Sequence, residues 1–427
     1  MIKNRKLYLI TILSTLLFVL IFLLTKSGNV LFFANLFLCG IICYKAKISI
    51  FSLKSLLINY VLVSVFFQFN TGKSYGILEL GLIELHYMEM MLLALVYNFI
   101  MYMFIEISGV TKFEKKKILS EHKTSLLSAY ACSLIAIISS IIAFPKLPFI
   151  DNGERFDALL PGNAWNHVTI IALLLAYPKL GKSWFVKFAY AFCFLWFLLR
   201  GERVDMLGLA VFILALSVAK KIYVANKNKL KVYVKYFIIA LALVFSLVII
   251  GEIRGGNKTF NFEQISRKVL IQNTAADIGY VYNSSIHYVN EKGMLYGKTY
   301  LTYFIEAIPL FSSNYEAAGI LKRTYYTPGG ILILSEPYMN FGIIGLIVFT
   351  LLEMFILYQL IKREKKYNYF IYLFLLITTF RTSWYGLKYI ETGLLYILPI
   401  LYFMTKTIDG WVSKNARKRN ISNSSNI

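Results

Sequence analysis

The sequence predicts an all-α, polytopic integral membrane protein, and three observations predict it. Its 427 residues are 58% hydrophobic and only 16% charged, against about 25% charged in soluble domains, so most of the surface must lie in lipid. Apolar runs near the roughly 20-residue length that crosses a bilayer recur along almost the whole chain. Between two of them lies one long, mostly polar and aromatic stretch, from GEIRGGNKTF at Gly251 to the re-entry PGGILILSEPYMNFGIIGL. The fold class is therefore about twelve transmembrane helices with one long, partly helical outer loop.

The expected spans lie near 7–24, 29–44, 54–70, 86–108, 125–144, 164–178, 184–199, 204–219, 232–250, 334–360, 368–381 and 388–405. The first follows MIKNRK and is not followed by a small-residue cleavage site, which reads as a retained anchor. With the N-terminus inside, Lys45, Lys47, Lys54, KFEKKK, PKLGKSWFVK, KKIYVANKNKLK, KREKK and KNARKRN all fall on the cytoplasmic side. That asymmetry places both termini in the cytoplasm and the 251–333 loop outside. The resulting division is a nine-span membrane region (1–250), the outer loop (251–333), a three-span region (334–405) and a basic cytoplasmic tail (406–427), expected to be disordered. Within the loop, GYVYNSSIHYV and TYLTYFIEAI have helical patterning, separated by breakers at NEKG, YGK and PLFSSN.

The net charge of +23 does not point to nucleic acid, because the basic residues fall in alternate short loops. Cys39, Cys43, Cys132 and Cys193 lie inside apolar runs with no CxxC or Cys/His pairing, which argues against zinc and structural disulfides. A short first outer loop, KSGN, counts against a metal-dependent polyprenyl-phosphate enzyme. Transporters tend to show paired halves with broken helices at matching positions, and neither is found here.

Three places could carry chemistry. The first is the tight turn RGER, where Arg200 and Arg203 either snorkel to head groups or face a cavity and grip phosphate. Arg203 also opens a helix, whose dipole adds to the attraction for anions. The second is GEIRGGN, where Arg254 follows the ninth span beside Gly255 and Gly256, with Arg267, Lys268, Lys322 and Arg323 further on and Arg381 at another span end. These cations either serve a di-anionic lipid head or pair with the loop's own acids. The third is SEPYMNFGIIGL, where Glu336 sits just inside an apolar segment. An intramembrane carboxylate is a functional candidate by default, and a salt bridge to a nearby arginine is the competing account.

At these residues the chain resembles the O-antigen polymerase (Wzy) type of oligosaccharide repeat-unit polymerase. The resemblance rests on the multi-span layout, the long outer loop, Gly201-Glu202-Arg203, the stretch from LYGKTYL to Pro309, and GG…E-P-Y-x-N-F-G-x-x-G from Gly329 to Gly345. It implies a glycosyltransferase of the cytoplasmic membrane of a bacterium that joins repeat units carried on undecaprenyl pyrophosphate, without a metal or other cofactor. It implies that Arg203 and Arg254 neutralise the leaving group, with Arg200, Arg323 and Arg381 assisting. It further implies that Glu336 orients or deprotonates the attacking hydroxyl, and that Tyr338 and Asn340 line the sugar path. Implied partners are the lipid-linked oligosaccharide, membrane lipid, and a chain-length regulator and flippase of the same pathway. The chain departs from the pattern in lacking an arginine-x10-glycine repeat at Arg200, Arg203 and Arg254. The related O-antigen ligases carry a histidine near the final re-entry where Glu336 stands here; His287, in the long loop, is the alternative base. An O-antigen ligase-like enzyme and a lipid-linked oligosaccharide flippase are the competing functions. A phosphatase reporter fused within 251–333 is expected to be active in cells; an inactive fusion with a fluorescent cytoplasmic counterpart would reverse the orientation.

Overall fold

The computed structural model describes residues 5–47, 49–72, 85–119, 124–143, 164–200, 203–223, 273–306 and 315–424, with single residues at 234, 235, 238, 245 and 308. The described residues are helical apart from turns and one isolated bridge. In chain order the helices are α1 (Arg5–Thr25), α2 (Gly28–Ala46), α3 (Ile50–Thr71), α4 (Tyr87–Ser108), α5 (Val110–Leu119), α6 (Leu126–Ala143), α7 (Ala164–Ala176), α8 (Trp184–Arg200) and α9 (Arg203–Tyr223). They continue with α10 (Asn273–Lys292), α11 (Lys298–Glu306), α12 (Ala317–Tyr325), α13 (Ser335–Lys362), α14 (Lys366–Tyr385) and α15 (Leu398–Ser424), which a π-helical turn (Gly393–Ile397) precedes.

Among the described residues, seven helices are long and apolar enough to cross a membrane: Lys6–Thr25, Gly28–Ala46, Ile50–Thr71, Tyr87–Ser108, Leu126–Ala143, Ser335–Lys362 and Leu387–Ala416. Trp184–Leu198 and Leu207–Val218 are shorter apolar helices. The span expected at 232–250 falls almost wholly outside the described residues. Local sequence sets several ends. Ser49 accepts from the Ser52 N–H at the start of α3, and Gly72 and Gly109 cap α3 and α4 in the left-handed conformation. Two sequence expectations change. KFEKKK is not a loop but part of α5, and the tail is helical as far as Ser424.

The chain divides into two compact units. The first comprises 1–118, 214–363 and 379–388. In it α2 packs against α3 and α4, α13 against α4, and α10 against α3 and α13. Its core carries polar groups that a bilayer makes expensive unless they are paired. Asn35, Asn98 and Ser55 link α2, α4 and α3 through side-chain hydrogen bonds of 2.9 Å. Lys54, which the sequence analysis counted among the loop cations, lies inside α3, buried, and contacts Glu353 of α13 at 2.6 Å. The Tyr97 hydroxyl donates to the other oxygen of the same carboxylate at 2.8 Å. The pairing explains how a lysine can sit there: a 22-residue α3 begins at Ile50 and takes Lys54 with it.

Helix α5 meets two helix ends of this unit with the appropriate charge. Glu114 accepts from the Ile50 N–H at the start of α3 (3.0 Å), and Lys117 donates to the carbonyls of Leu360 and Arg363 at the end of α13. An acid at a helix N-terminus and a base at a C-terminus both oppose the helix dipole.

The second unit comprises 119–213, 364–378 and 389–427. Here α6 packs on α7 and α8, with Ser139 bonded to Thr169 at 2.8 Å and the Tyr190 hydroxyl donating to the Leu173 carbonyl at 2.7 Å. Asp409 of α15 accepts from the Ser125 N–H and the Ser128 hydroxyl at the start of α6 and lies 3.5 Å from Lys366. Gly208 lets α9 approach α14 so closely that a Cβ there would stand 2.0 Å from the Ile377 carbonyl oxygen.

Breaking a buried ion pair strands a charge, whereas removing both partners does not. Lys54→Met is expected to destabilise the protein by about 3–5 kcal/mol. Lys54→Met/Glu353→Met should recover most of that in thermal unfolding in detergent.

Candidate active site

The site grows from the break in α13. Its first turn is SEPYMN, and at Phe341 and Gly342 the backbone leaves the helix, Gly342 taking φ +61° and ψ −150°. That combination is essentially restricted to glycine. Eight residues of straight helix span about 12 Å, yet a Cβ on Gly345 would lie 2.5 Å from the Pro337 carbonyl oxygen. The first turn therefore folds back on the span, and Gly345 makes room for it. The two glycines in E-P-Y-x-N-F-G-x-x-G thus have separate physical uses, Gly342 for dihedral freedom and Gly345 for close approach.

The break turns two helix carbonyls outward, and they are taken up by LYGK. The N–H groups of Leu295 and Tyr296 donate to the carbonyls of Met339 and Asn340 at 2.9 and 3.0 Å. Asn340 completes the lock. Its side-chain oxygen accepts from the Gly297 N–H (2.9 Å), and its amide donates to Thr299 Oγ1 (2.7 Å) and to the Glu336 carbonyl (2.8 Å). Gly297 has φ +84°, so YGK turns tightly into α11 at this point. On the other side, GGILIL pairs with the end of α14, Ile331 and Ile333 donating to the carbonyls of Trp384 and Ser383. Val281, Leu295, Ala317, Leu321, Ile331 and Met339 form the apolar core beneath.

Glu336 is 7% exposed. Thr299 donates to its Oε1 at 2.8 Å and the Tyr303 phenol donates to its Oε2. Among the described residues its bonded partners are hydroxyls of α11. Burial, and after it the charge of Glu336, push the Tyr303 phenol well above its ordinary pKa, so it stays a proton donor. Tyr300 is raised for the same two reasons. Lys388 is close enough to act electrostatically on Glu336 and pairs with Glu306 and, at 3.4 Å, Glu316.

A second titratable group lies in the same unit. His86, immediately before α4, faces His287 of α10, with Nε2 3.1 Å from Nδ1. His86 Nδ1 lies 3.0 Å from Glu89, and the His86 backbone N–H donates to Asn283 Oδ1 at 2.7 Å. His287 Nε2 stands 3.8 Å from Glu291, which accepts from the Tyr325 hydroxyl at 2.8 Å. Hydrogen bonding from Lys292 and then from Tyr325 keeps the Glu291 carboxyl below its usual range.

The expected site residues are distributed as follows. Glu336, Tyr338 and Asn340 share the first turn of α13; Tyr338 is half-buried, while Asn340 is fully buried and spent on holding LYGK. Arg323 is exposed on α12. Arg381 is partly buried, its guanidinium 5.0 Å from the Tyr385 ring centre. Arg200 closes α8 and Arg203 opens α9, but their side chains, like the whole of Arg254, lie outside the described residues. Sequence reasoning missed Thr299, Tyr303, Lys388 and His86. LYGKTYL was noticed as a pattern, yet nothing in it announced that Thr299 and Tyr303, four apart on one helix face, would meet a carboxylate 37 and 33 residues on.

Apolar helices long enough to span a bilayer, with a paired lysine and glutamate buried among them, define a helical, multi-pass membrane protein. The sequence model of the family O-antigen polysaccharide polymerase Wzy matches residues 162–408, more than half of the chain. The chain belongs to that family, and its general role is that of an O-antigen polymerase. No curated protein and no solved structure matches it significantly.

Replacing Gly342 by alanine forces an L-residue into a glycine-only conformation, at a cost of about 1–3 kcal/mol. Gly342→Ala is expected to lower the unfolding temperature and shorten the glycan together, since the same break holds α11 over Glu336.

Proposed function

We propose that this protein polymerises oligosaccharide repeat units carried on undecaprenyl pyrophosphate, at the outer face of the bacterial cytoplasmic membrane. In this reading the chain has twelve spans, both termini in the cytoplasm and 251–333 outside. The observation that carries the chemistry is Glu336, a buried carboxylate bonded to two hydroxyls in a member of the Wzy family.

The reaction joins a sugar hydroxyl to an anomeric carbon. The hydroxyl oxygen forms the new C–O bond, the bond from the anomeric carbon to the pyrophosphate oxygen breaks, and that oxygen leaves with the electron pair. The hydroxyl proton must go to a base. Glu336 is covered by α11, and Tyr303 stands partly exposed between it and the surroundings. Tyr303 can therefore pass its own proton to Glu336 while accepting the one from the sugar hydroxyl. Charge builds on the leaving pyrophosphate, and preorganised cations stabilise it best where water is scarce. Arg203 and Arg254 take that role in this proposal, with Arg200, Arg323 and Arg381 assisting, and no metal is required. Tyr338 contacts the sugar, while Asn340 acts as a positioning residue. The Glu306–Lys388–Glu316 cluster sets the field around Glu336. The acceptor and donor are both lipid-linked, and a chain-length regulator and a flippase are partners in the same pathway.

Glu336→Gln is expected to cut elongation by about 10²–10⁴-fold, the usual contribution of a positioned base. Single repeat units should still reach the surface, and the protein should still be inserted, as gel banding of the glycan and membrane fractionation would show. Wild-type chain length in that variant would remove Glu336 from the mechanism. His287→Gln then tests the histidine pair as the base. A strain displaying no repeat units at all when the protein is deleted would point to a flippase instead.

A further inference from the structure

Helix α11 is built the wrong way round for a helix in water. Its inward face is polar: Thr299 and Thr302 are 0% and 2% exposed, and Tyr303 turns to Glu336. Its outward face is apolar. Leu301 is 60% exposed, Phe304 75% and Ile305 43%, and Ile308, just past the helix end, is 55% exposed. These four positions follow the i, i+3, i+4, i+7 spacing that marks the buried stripe of an amphipathic helix. Here that stripe points away from the protein.

The depth of the stripe can be read from α13. The straight part after the break, 343–362, is about 30 Å long at 1.5 Å per residue, which equals the hydrocarbon thickness of a bilayer. Its exposed residues, including Ile344 (70%), Val348 (49%) and Phe355 (54%), form the lipid-facing side of that span. The break at Phe341–Gly342 then falls at the membrane interface, and the turn carrying Glu336 lies at head-group level. Helix α11 is fastened to that turn through Leu295, Tyr296 and Gly297. At its start stand exposed Tyr296 (75%) and Lys298, and at its end exposed Tyr315 (61%) precedes Glu316, which Lys388 ties to Glu306; α12 adds exposed Lys322 and Tyr326 (81%) to the same segment. Tyrosine and cationic side chains are the usual neighbours of phospholipid head groups.

We infer that α11 is an interfacial membrane helix, with Leu301, Phe304, Ile305 and Ile308 among the acyl chains and Thr299 and Tyr303 facing the protein. The occupant of the apolar face is bilayer phospholipid, because α11 is bonded to the turn at the head of the lipid-facing span and is flanked by head-group-seeking residues. Glu336 then lies beneath a lid that floats in the leaflet, and a substrate whose reacting group sits at head-group depth reaches it from the membrane plane. That last consequence rests on the proposed function; the position of α11 does not.

The test uses the full-length protein in phosphatidylethanolamine/phosphatidylglycerol vesicles, with bimane attached at Leu301→Cys, Phe304→Cys or Ile308→Cys. Lys298→Cys and Lys322→Cys serve as head-group controls, and wild-type protein treated identically gives the blank from the native cysteines. A nitroxide on the lipid acyl chain is expected to quench the three apolar positions about threefold or more above the controls, with iodide on both sides doing the reverse. Iodide quenching at 301 and 304 equal to that at 298 would overturn the inference, since the face would then be in water. Protection from both quenchers would also overturn it, because protein would cover the face. The wild-type chain offers an independent measurement that no misfolded variant can confuse. Lipids with an acyl-chain diazirine should leave adducts on the 298–308 peptide, and adducts confined to the long spans would again defeat the idea. Neither readout depends on glycan length, so this inference and the assignment of Glu336 can fail separately.

Discussion

The first unit depends on an exchange of hydrogen-bond partners at one broken helix. In lipid or beside it, a backbone carbonyl without a donor is costly, so a helix can break only where another segment supplies the missing donors. At Phe341–Gly342 of α13 the donors come from Leu295 and Tyr296, and Asn340 ties the same turn from within. The break is therefore also the attachment point of the segment that carries α11. Three glycines carry much of its cost in backbone freedom, Gly342 for its dihedrals, Gly297 for the turn opposite and Gly345 for the close approach of Pro337, and Tyr296 beside Gly297 also takes a positive φ of 48°.

From that attachment the position of Glu336 follows. The fold-back puts Glu336 under α11, where two hydroxyls satisfy its oxygens and Asn340 fixes the backbone that presents it. Burying the Glu336 carboxylate is expensive, and the two hydroxyls together with the nearby Lys388 offset that cost. The same rule of compensated polarity recurs in the spans. Lys54 is paired with Glu353, Tyr97 donates to that carboxylate, and the asparagines of α2 and α4 bond to one another. These groups specify which helices meet in a solvent that offers little hydrophobic discrimination between them.

The array Glu89–His86–His287–Glu291 links the entry to α4 with α10 of the intervening segment. Glu89 is near enough to Tyr338 for its charge to act on that phenol, so the two sites are electrostatic neighbours. The array draws His86 and Glu89 from the start of α4 and His287 and Glu291 from α10, whereas Glu336 and its hydroxyl partners come from α13 and α11.

The spans were legible in the sequence because lipid imposes a length and a composition that no tertiary contact overrides. The apolar runs at 7–24, 29–44, 54–70, 86–108 and 334–360 each became a helix, and the breakers NEKG and YGK became turns at Gly293 and Gly297 with positive φ. Glu336 could be singled out because a carboxylate inside an apolar run is conspicuous by itself. What the sequence hid were pairings over distance. Lys54 looked like a loop cation because Glu353, which makes its burial tolerable, lies 299 residues away. His86 looked like the edge of a span, and Thr299 and Tyr303 like part of an ordinary aromatic helix. Periodicity tells which residues share a face, but not which face turns inward. For α11 that choice was made by hydrogen bonding to Glu336 and not by hydrophobicity, so only the tertiary structure could decide it.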